Sequence, residues 1–437
     1  MPCERDELTG LLSRKGFHAE AEHIKREGGE GLALVWFNLD NFKMYNKRFG
    51  FAKGDELLRE TAKIVEIIFP PAEGNLCARF SDDHFVVLTD WASVEMNTDM
   101  IQEYLYALHE DITLRLRAGI YFPSQDEDVR LACDNAKLAC DSIRKNHSVS
   151  SCMFHDGMSR ELSLQQHILD NLDSAIENGC VRVLYQPIVD IRTGKVCEAE
   201  ALTRWSDAEL GSISPAEFIP TLEEYREIHR LDVHALKQVC WDYSTRARKG
   251  LPVLPVSVNL SRLDFELCDI LQEVELAVTL NDLPREMLHI EITESAGEED
   301  TTVLNLGIER FRAMGYEVWM DDFGSGYSSL NVLKDYNFDT IKFDMKFLHG
   351  FDINKSEKAK YIISSNLQMA RLMGMQALAE GVETAEQLEY LRSIGFDKAQ
   401  GYYFGKPMNL DDIFTLGDVL LPPRAYVPAG TKAVPQH

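Results

Sequence analysis

Asp321-Asp322-Phe323-Gly324-Ser325-Gly326-Tyr327-Ser328-Ser329-Leu330 decides how the rest of the chain reads. Ahead of it, Tyr316 to Met320 is apolar and β-prone, the pattern of a short buried strand. Behind it, Ser328 to Tyr336 reads as the start of a helix. Two adjacent carboxylates therefore stand where a strand gives way to a glycine-hinged loop. They repel each other, so solvent or a divalent cation must compensate them. An isolated Asp-Asp-x-Gly is most often an exposed acidic turn. Its neighbours point elsewhere.

Outward from this stretch, the chain from Val181 to about Leu421 alternates strand-length and helix-length segments. Val181–Val189 and Val196–Leu202 are strands joined by Asp190-Ile191-Arg192-Thr193-Gly194-Lys195, too short for a parallel crossover, so they form an antiparallel hairpin. Further strands are expected at Val253–Val258, Met287–Ile292, Glu317–Met320, Asp339–Phe343, Gln376–Ala379 and Ala399–Tyr403. This is a (β/α)8 TIM-like barrel with one antiparallel strand. Polar residues recur at or near the strand ends: Gln186, Glu200, Asn259, Glu291, Asp321, Asp322, Lys342, Glu380 and Gln400. One such glutamate is most often a surface charge or a cap. Five carboxylates, an asparagine and a lysine converging on one barrel mouth would be unstable without cations. The all-oxygen donor set selects Mg2+ or Mn2+ over zinc. Two such ions sharing a carboxylate can activate water and steady the leaving oxygen of a phosphodiester.

These motifs resemble the EAL family of cyclic-di-GMP phosphodiesterases. The resemblance is carried by Glu200-Ala201-Leu202-Thr203-Arg204-Trp205, Gln186-Pro187-Ile188-Val189, Val258-Asn259-Leu260-Ser261, Glu291-Ile292-Thr293-Glu294-Ser295, Asp321–Leu330, Ile341-Lys342-Phe343-Asp344, Ala379-Glu380-Gly381-Val382-Glu383-Thr384 and Gln400–Pro407. It implies that Glu200, Asn259, Glu291 and Asp321 hold one metal, with Asp321 bridging to a second completed by Asp322 and Glu380. It implies Lys342 beside the attacking water, Gln186, Arg204 and Gln400 toward substrate, and Glu294 supporting the loop from Asp322 to Ser328. Ser325 stands where the family usually has threonine, which keeps the hydroxyl.

Residues before about Asp156 also alternate strand and helix, an α/β sandwich pattern. Strands are expected at Leu32–Leu39, Ile112–Phe122 and Ser148–Phe154, helices at Lys53–Ile68 and Glu127–Lys145, and a hairpin over Cys77–Thr89. Asp6–Arg14, Asn38-Leu39-Asp40-Asn41-Phe42-Lys43, Asn46, Gly50 and Gly54-Asp55 resemble the GGDEF (diguanylate cyclase) family, and so imply a nucleotidyl-cyclase type of sandwich. The signature hairpin is degenerate: Ser81-Asp82-Asp83-His84-Phe85 stands in place of Gly-Gly-Asp-Glu-Phe. Glycines there supply positive φ and close backbone approach, whereas Asp82 adds a side chain and a negative charge where GTP phosphates would lie. Asn38 takes the place of a metal-binding aspartate, and Phe51 that of a histidine. Asp83 keeps a metal position, and Asn46 and Asp55 match guanine-contacting residues. The same two could equally be turn and cap chemistry. The inhibitory RxxD motif is absent at Ala72–Asn75. The domain reads as a failed cyclase, with GTP as a regulatory ligand or a purely packing and dimerisation role left open.

A break at His155–Ser159 and an amphipathic helix from Arg160 to Asn178 join the two, giving domains 1–157 and 158–425 and a proline-containing tail 426–437. A formal net charge of -26 argues against a general nucleic-acid polymer or anionic-membrane binder. Nine cysteines without paired spacing suit a reducing cytoplasm. No apolar run approaches the ~18–20 residues of a membrane span. The expectation is a cytoplasmic, metal-dependent hydrolase giving linear pGpG, a homodimer by family resemblance. A cyclic-di-GMP receptor that does not cut its ligand and a bifunctional synthase–hydrolase are the alternatives.

Overall fold

Strand β1 (Leu32–Leu39) is apolar at nearly every position because both its faces are covered. Ala33, Val35, Phe37 and Leu39 pack with Leu57, Leu58, Ala62 and Val65 of the helix Phe51–Ile68. Leu34 and Trp36 point the other way, onto Phe17 and Ala21 of Arg14–Arg26 and Ala132, Cys133, Ala136 and Cys140 of Val129–Ser142. This is the strand period of two buried on both sides. With β2 (Leu76–Ser81), β3 (His84–Asp90), β4 (Leu116–Tyr121) and β5 (Ser151–Met153) it forms a sheet of order β2-β3-β1-β4-β5. The pairs are antiparallel except β4–β5. The sandwich expected from sequence is therefore present, with shorter outer strands than the apolar runs suggested.

The computed structural model describes residues 4–26, 31–90, 94–108, 114–144, 146, 148–293, 301–323, 333, 336–344 and 357–417. The chain divides into two units, Met1–Leu164 and Gln165–His437, the boundary falling inside the helix Asp156–Glu177.

The second unit begins with β6 (Val181–Asp190) and β7 (Lys195–Asp207), paired antiparallel. Their turn is closed by the Asp190 carboxylate accepting from Thr193 N at 2.7 Å and by Gly194 at φ 73. Then come β8 (Gly211–Ile213), β9 (Val256–Leu260), β10 (Leu288–Thr293), β11 (Glu317–Phe323), β12 (Thr340–Phe343), β13 (Gln376–Ala379) and β14 (Lys398–Gln400). Eight of them close a ring, β6-β14-β13-β12-β11-β10-β9-β7 and back to β6, while β8 extends β7. Within the ring β6 is antiparallel to both neighbours, and every other pair is parallel. Outward residues such as Val258, Ile290, Met320, Ile341 and Ala377 form the main core beneath the helices, and Ile188, Trp319 and Leu378 form a small apolar cluster apart from it.

Several strand ends differ from expectation, because ladder hydrogen bonds rather than apolar runs set them. The expected strand Val253–Val258 is β9, whose pairing Leu260↔Ile292 carries Asn259 inside the strand. The expected Ala399–Tyr403 ends at Gln400. A Cβ at Gly401 would lie 2.1 Å from Val382 O, and the chain turns there. Asp321 and Asp322 lie within β11 rather than after it. Of the helix expected from Ser328, Leu333 is helical and Tyr336–Phe338 are irregular. The rest of that segment, with Ser325 and Glu294, lies outside the described residues.

Candidate active site

The barrel pleat sends alternate residues inward. Glu200, Asn259, Glu291, Asp321, Lys342 and Gln400 alternate with residues of the outer core, such as Ala201, Val258, Ile292, Met320, Ile341 and Ala399. A regular strand would turn Asp322 away from Asp321. The register of β11 against β12 slips between Met320 and Phe323, and Asp322 adopts φ 56. The bulge returns both carboxylates to one mouth. Aspartate tolerates this left-handed conformation better than most residues.

Two carboxylate trios result. One ligand oxygen from each of Glu200, Glu291 and Asp321 lies within 4.8 Å of the others, and the same holds for Asp321, Asp322 and Glu380. Asp321 is common to both. Lys342 is 1% exposed and stands among them, its Nζ 2.6 Å from Glu291 Oε2, 2.7 Å from Glu380 Oε1, 3.0 Å from Asp321 Oδ1 and 3.4 Å from Glu200 Oε2. The compensating charge expected from solvent or metal is thus partly internal. Gln400 Nε2 donates to Glu200 Oε2 at 2.6 Å and to Gln186 Oε1 at 3.1 Å, and Asn259 Nδ2 donates to Glu200 Oε1 at 2.9 Å. A cavity of about 260 Å3 opens beside them, lined by Gln186, Leu202, Asp344, Glu383 and Tyr402 among others. Arg204 is half-buried, donates to Thr203 O at 2.7 Å, and does not line this cavity.

One ammonium cannot balance five carboxylates. Burial pushes the Glu291 carboxyl well above its usual range, and pushes Glu380 up to about 8. Burial acts upward on Glu200 too, but Lys342, Gln400 and Asn259 outweigh it and leave the group below its usual value. For Lys342, burial acts downward and the surrounding carboxylates overcome it, holding the amine charged. Such a cluster takes up either protons or cations. A divalent ion fits it: the donors are all oxygen, and among the described residues buried Glu291 Oε1 and Gln400 Oε1 have no hydrogen-bond partner. Asn259 would have to turn its amide to present oxygen.

Sequence reading missed a second polar layer. Two residues before Glu200, Asn259, Glu291, Asp321, Lys342 and Gln400 stand Glu198, Ser257, His289, Trp319, Thr340 and Lys398. Lys398 Nζ donates to Glu198 Oε1 at 2.8 Å and lies 4.9 Å from the Trp319 ring centroid. His289 stacks on Trp319 at 4.8 Å, and burial pushes its imidazole down to about 4. The period-two polar alternation, as in Glu198-Ala199-Glu200 and His289-Ile290-Glu291, is the signal that could have found this layer.

In the first unit, half-buried Asn46 and Asp55 belong to successive helices, Phe42–Phe49 and Phe51–Ile68. Neither caps a helix: Gly50 is the N-cap of the second. Asn46 Oδ1 is buried without a partner among the described residues, and a Cβ at Gly54 would come within 1.8 Å of it. The degenerate hairpin turns at Asp82, φ 38, whose carbonyl accepts from Arg79 Nε at 2.9 Å and Nη2 at 2.8 Å. Asp82 thus takes the positive φ a glycine would supply.

A closed barrel with one reversed strand and a bridging acidic mouth defines the class of protein, and comparison agrees. Residues 169–407 match the EAL domain, and the chain belongs to that family. Residues 3–148 match the description Diguanylate cyclase, GGDEF domain. The uncharacterized protein y4lL of Sinorhizobium fredii is 32% identical over 93% of this chain and 50% of its own length. Cyclic di-GMP phosphodiesterase NbdA of Pseudomonas aeruginosa is 29% identical over 93% of this chain and 53% of its own. The chain therefore spans about half the length of these curated relatives. A solved structure described as PaMucR Phosphodiesterase, c-di-GMP complex, is 30% identical with TM-score 0.52, covering 56% of this chain and 99% of that one. Among the described residues no helix is long and apolar enough to cross a membrane.

Proposed function

We propose that the second unit hydrolyses cyclic-di-GMP to linear pGpG with divalent metal. The observation that carries this reading is the pair of carboxylate trios sharing Asp321 beside an open cavity. Glu200, Asn259, Glu291 and Asp321 would hold one ion, and Asp321, Asp322 and Glu380 the other. When bound, Mg2+ or Mn2+ would supply an activated water and charge stabilisation for the departing oxygen. In the reaction the water oxygen joins phosphorus, the P–O3′ bond breaks, and the departing 3′ oxygen gains a proton.

The chain's own residues prepare this step. Lys342, held by Glu291 and Glu380, places a fixed positive charge where negative charge grows on phosphorus. Gln400 links Glu200 to Gln186, orienting the carboxylate and the substrate-facing amide together. Arg204 would meet a phosphate through its guanidinium, while Leu202 and Tyr402 give the cavity apolar walls for a base. Glu294 would support the loop from Asp322 to Ser328.

In this reading the first unit regulates rather than synthesises, with Asn46 and Asp55 as the contacts for a GTP effector. The working form is a cytoplasmic homodimer, and domains 1–157, 158–425 and 426–437 remain the proposed division. Purified protein incubated with cyclic-di-GMP and Mn2+ should release pGpG, faster with GTP present. Binding without cleavage under every metal condition would leave a receptor instead.

A further inference from the structure

We infer that Arg117 stands in for the divalent cation of the first unit, closing to metal the site that Asn38 and Asp83 would otherwise offer. Family resemblance places a metal at those two positions; the residues present do not fit one.

The reason starts with register. Asn38 on β1 lies directly across from Arg117 on β4. Arg117 is 3% exposed, and all three guanidinium nitrogens are engaged. Nη2 donates to Asn38 Oδ1 at 2.7 Å, Nε to Asp40 Oδ1 at 2.6 Å and Nη1 to Cys140 O at 2.5 Å. The other end of the Asn38 amide is committed too, Nδ2 donating to Asp83 Oδ2 at 3.2 Å. Arg115 adds a second guanidinium, donating to Asp40 Oδ2 at 3.4 Å and to Asn146 O at 2.6 Å.

Charge settles which cation wins. Asp40 pairs with both the Arg115 and Arg117 guanidiniums, the exposed Asp141 lies 4.0 Å from Arg117 Nη1, and Asp83 meets the Asn38 amide, so fixed positive charge already occupies the site. A dication would sit against a fixed positive charge, and its one oxygen donor from Asn38 is taken by Arg117. The barrel is the opposite case, with excess carboxylates and an acceptor, Glu291 Oε1, that has no partner among the described residues. A nucleotide taken up near Asn46 and Asp55 would accordingly bind without a divalent ion. The inference stands whether or not the barrel hydrolyses cyclic-di-GMP.

The test counts bound Mn2+ by electron paramagnetic resonance on the full chain, with Glu291→Gln and Asp321→Asn silencing the barrel site. The silenced chain should hold no ion in the millimolar range. Adding Asn38→Asp alone should still give none, because the new carboxylate pairs with Arg117. Asn38→Asp together with Arg117→Ser should gain one ion, lost again with Asp83→Ala. A bound ion in the silenced chain that Asp83→Ala removes would overturn the inference, as would an ion gained by Asn38→Asp with Arg117 intact. Both decisive readings keep Arg117, so they do not depend on an arginine-free variant folding.

Discussion

Replacing Lys342 by methionine removes a cation that four carboxylates share, all within 3.4 Å of Nζ. Methionine matches the side chain's length and suits its buried position, so the loss is chiefly electrostatic. At an effective permittivity of about 20, one unit charge 3 Å from another is worth about 5–6 kcal/mol before desolvation. Removing one partner of a buried pair costs about 3–5 kcal/mol net. Protonation of the abandoned carboxylates moderates that cost, so it should be larger at pH 9 than at pH 6. Divalent cations replace the lost charge, so Mn2+ should recover most of the difference. The assay is urea unfolding of the second unit in EDTA and in Mn2+, for parent and Lys342→Met. The expected gap is about 3–5 kcal/mol in EDTA and narrows sharply with Mn2+. A gap under about 1 kcal/mol in EDTA, the size of an exposed pair, would refute it.

Three further outcomes follow from single geometries. Asp322→Gly relieves a φ of 56 and should stabilise the fold by up to about 1 kcal/mol. The same change removes a carboxylate from the mouth, so turnover should fall on the order of 100-fold, giving opposite signs in unfolding and product assays. Burial pushes Asp264 up to about 7 and raises Asp232 beside it, with Glu223 and both aspartates converging on Ser261. The folded chain keeps a proton the unfolded chain releases near pH 4, so this stabilisation is full below that pH and lost as pH rises to 7. Asp264→Asn has no such proton, so the parent should lose about 2 kcal/mol relative to it between pH 5 and 7, read from unfolding midpoints. Gly401→Ala would drive a Cβ into backbone Val382 O at 2.1 Å and N at 2.3 Å. A cost of about 3 kcal/mol is expected, with loss of turnover because Val382 lies next to the Glu380 segment; an unchanged melting temperature would contradict it.

The barrel was legible because its strands alternate apolar and polar residues at period two, and because Asp190–Lys195 is too short for anything but a hairpin. The acidic mouth was legible from carboxylates recurring near those strand ends. What the pattern could not show was the bulge at Met320–Phe323, a ladder irregularity with no compositional mark, which brings Asp322 back beside Asp321. Nor could it show Lys342 as the centre of the carboxylates, since distances among five strands are not local information. The layer of Glu198, His289 and Lys398 carries the same period-two alternation, two residues ahead of the mouth on each strand. In the first unit, Arg117 carries no sequence mark, because its role depends on facing Asn38 across two strands distant in sequence.

The central claim is that the acidic mouth is a metal-dependent phosphodiesterase. The most direct measurement incubates the purified chain with cyclic-di-GMP, with and without Mn2+, and follows pGpG by chromatography beside a Glu200→Ala control. The account predicts pGpG from the parent with Mn2+ and none with EDTA or from the control. Product that persists in Glu200→Ala or in EDTA, or tight binding with no product from the parent, would contradict it.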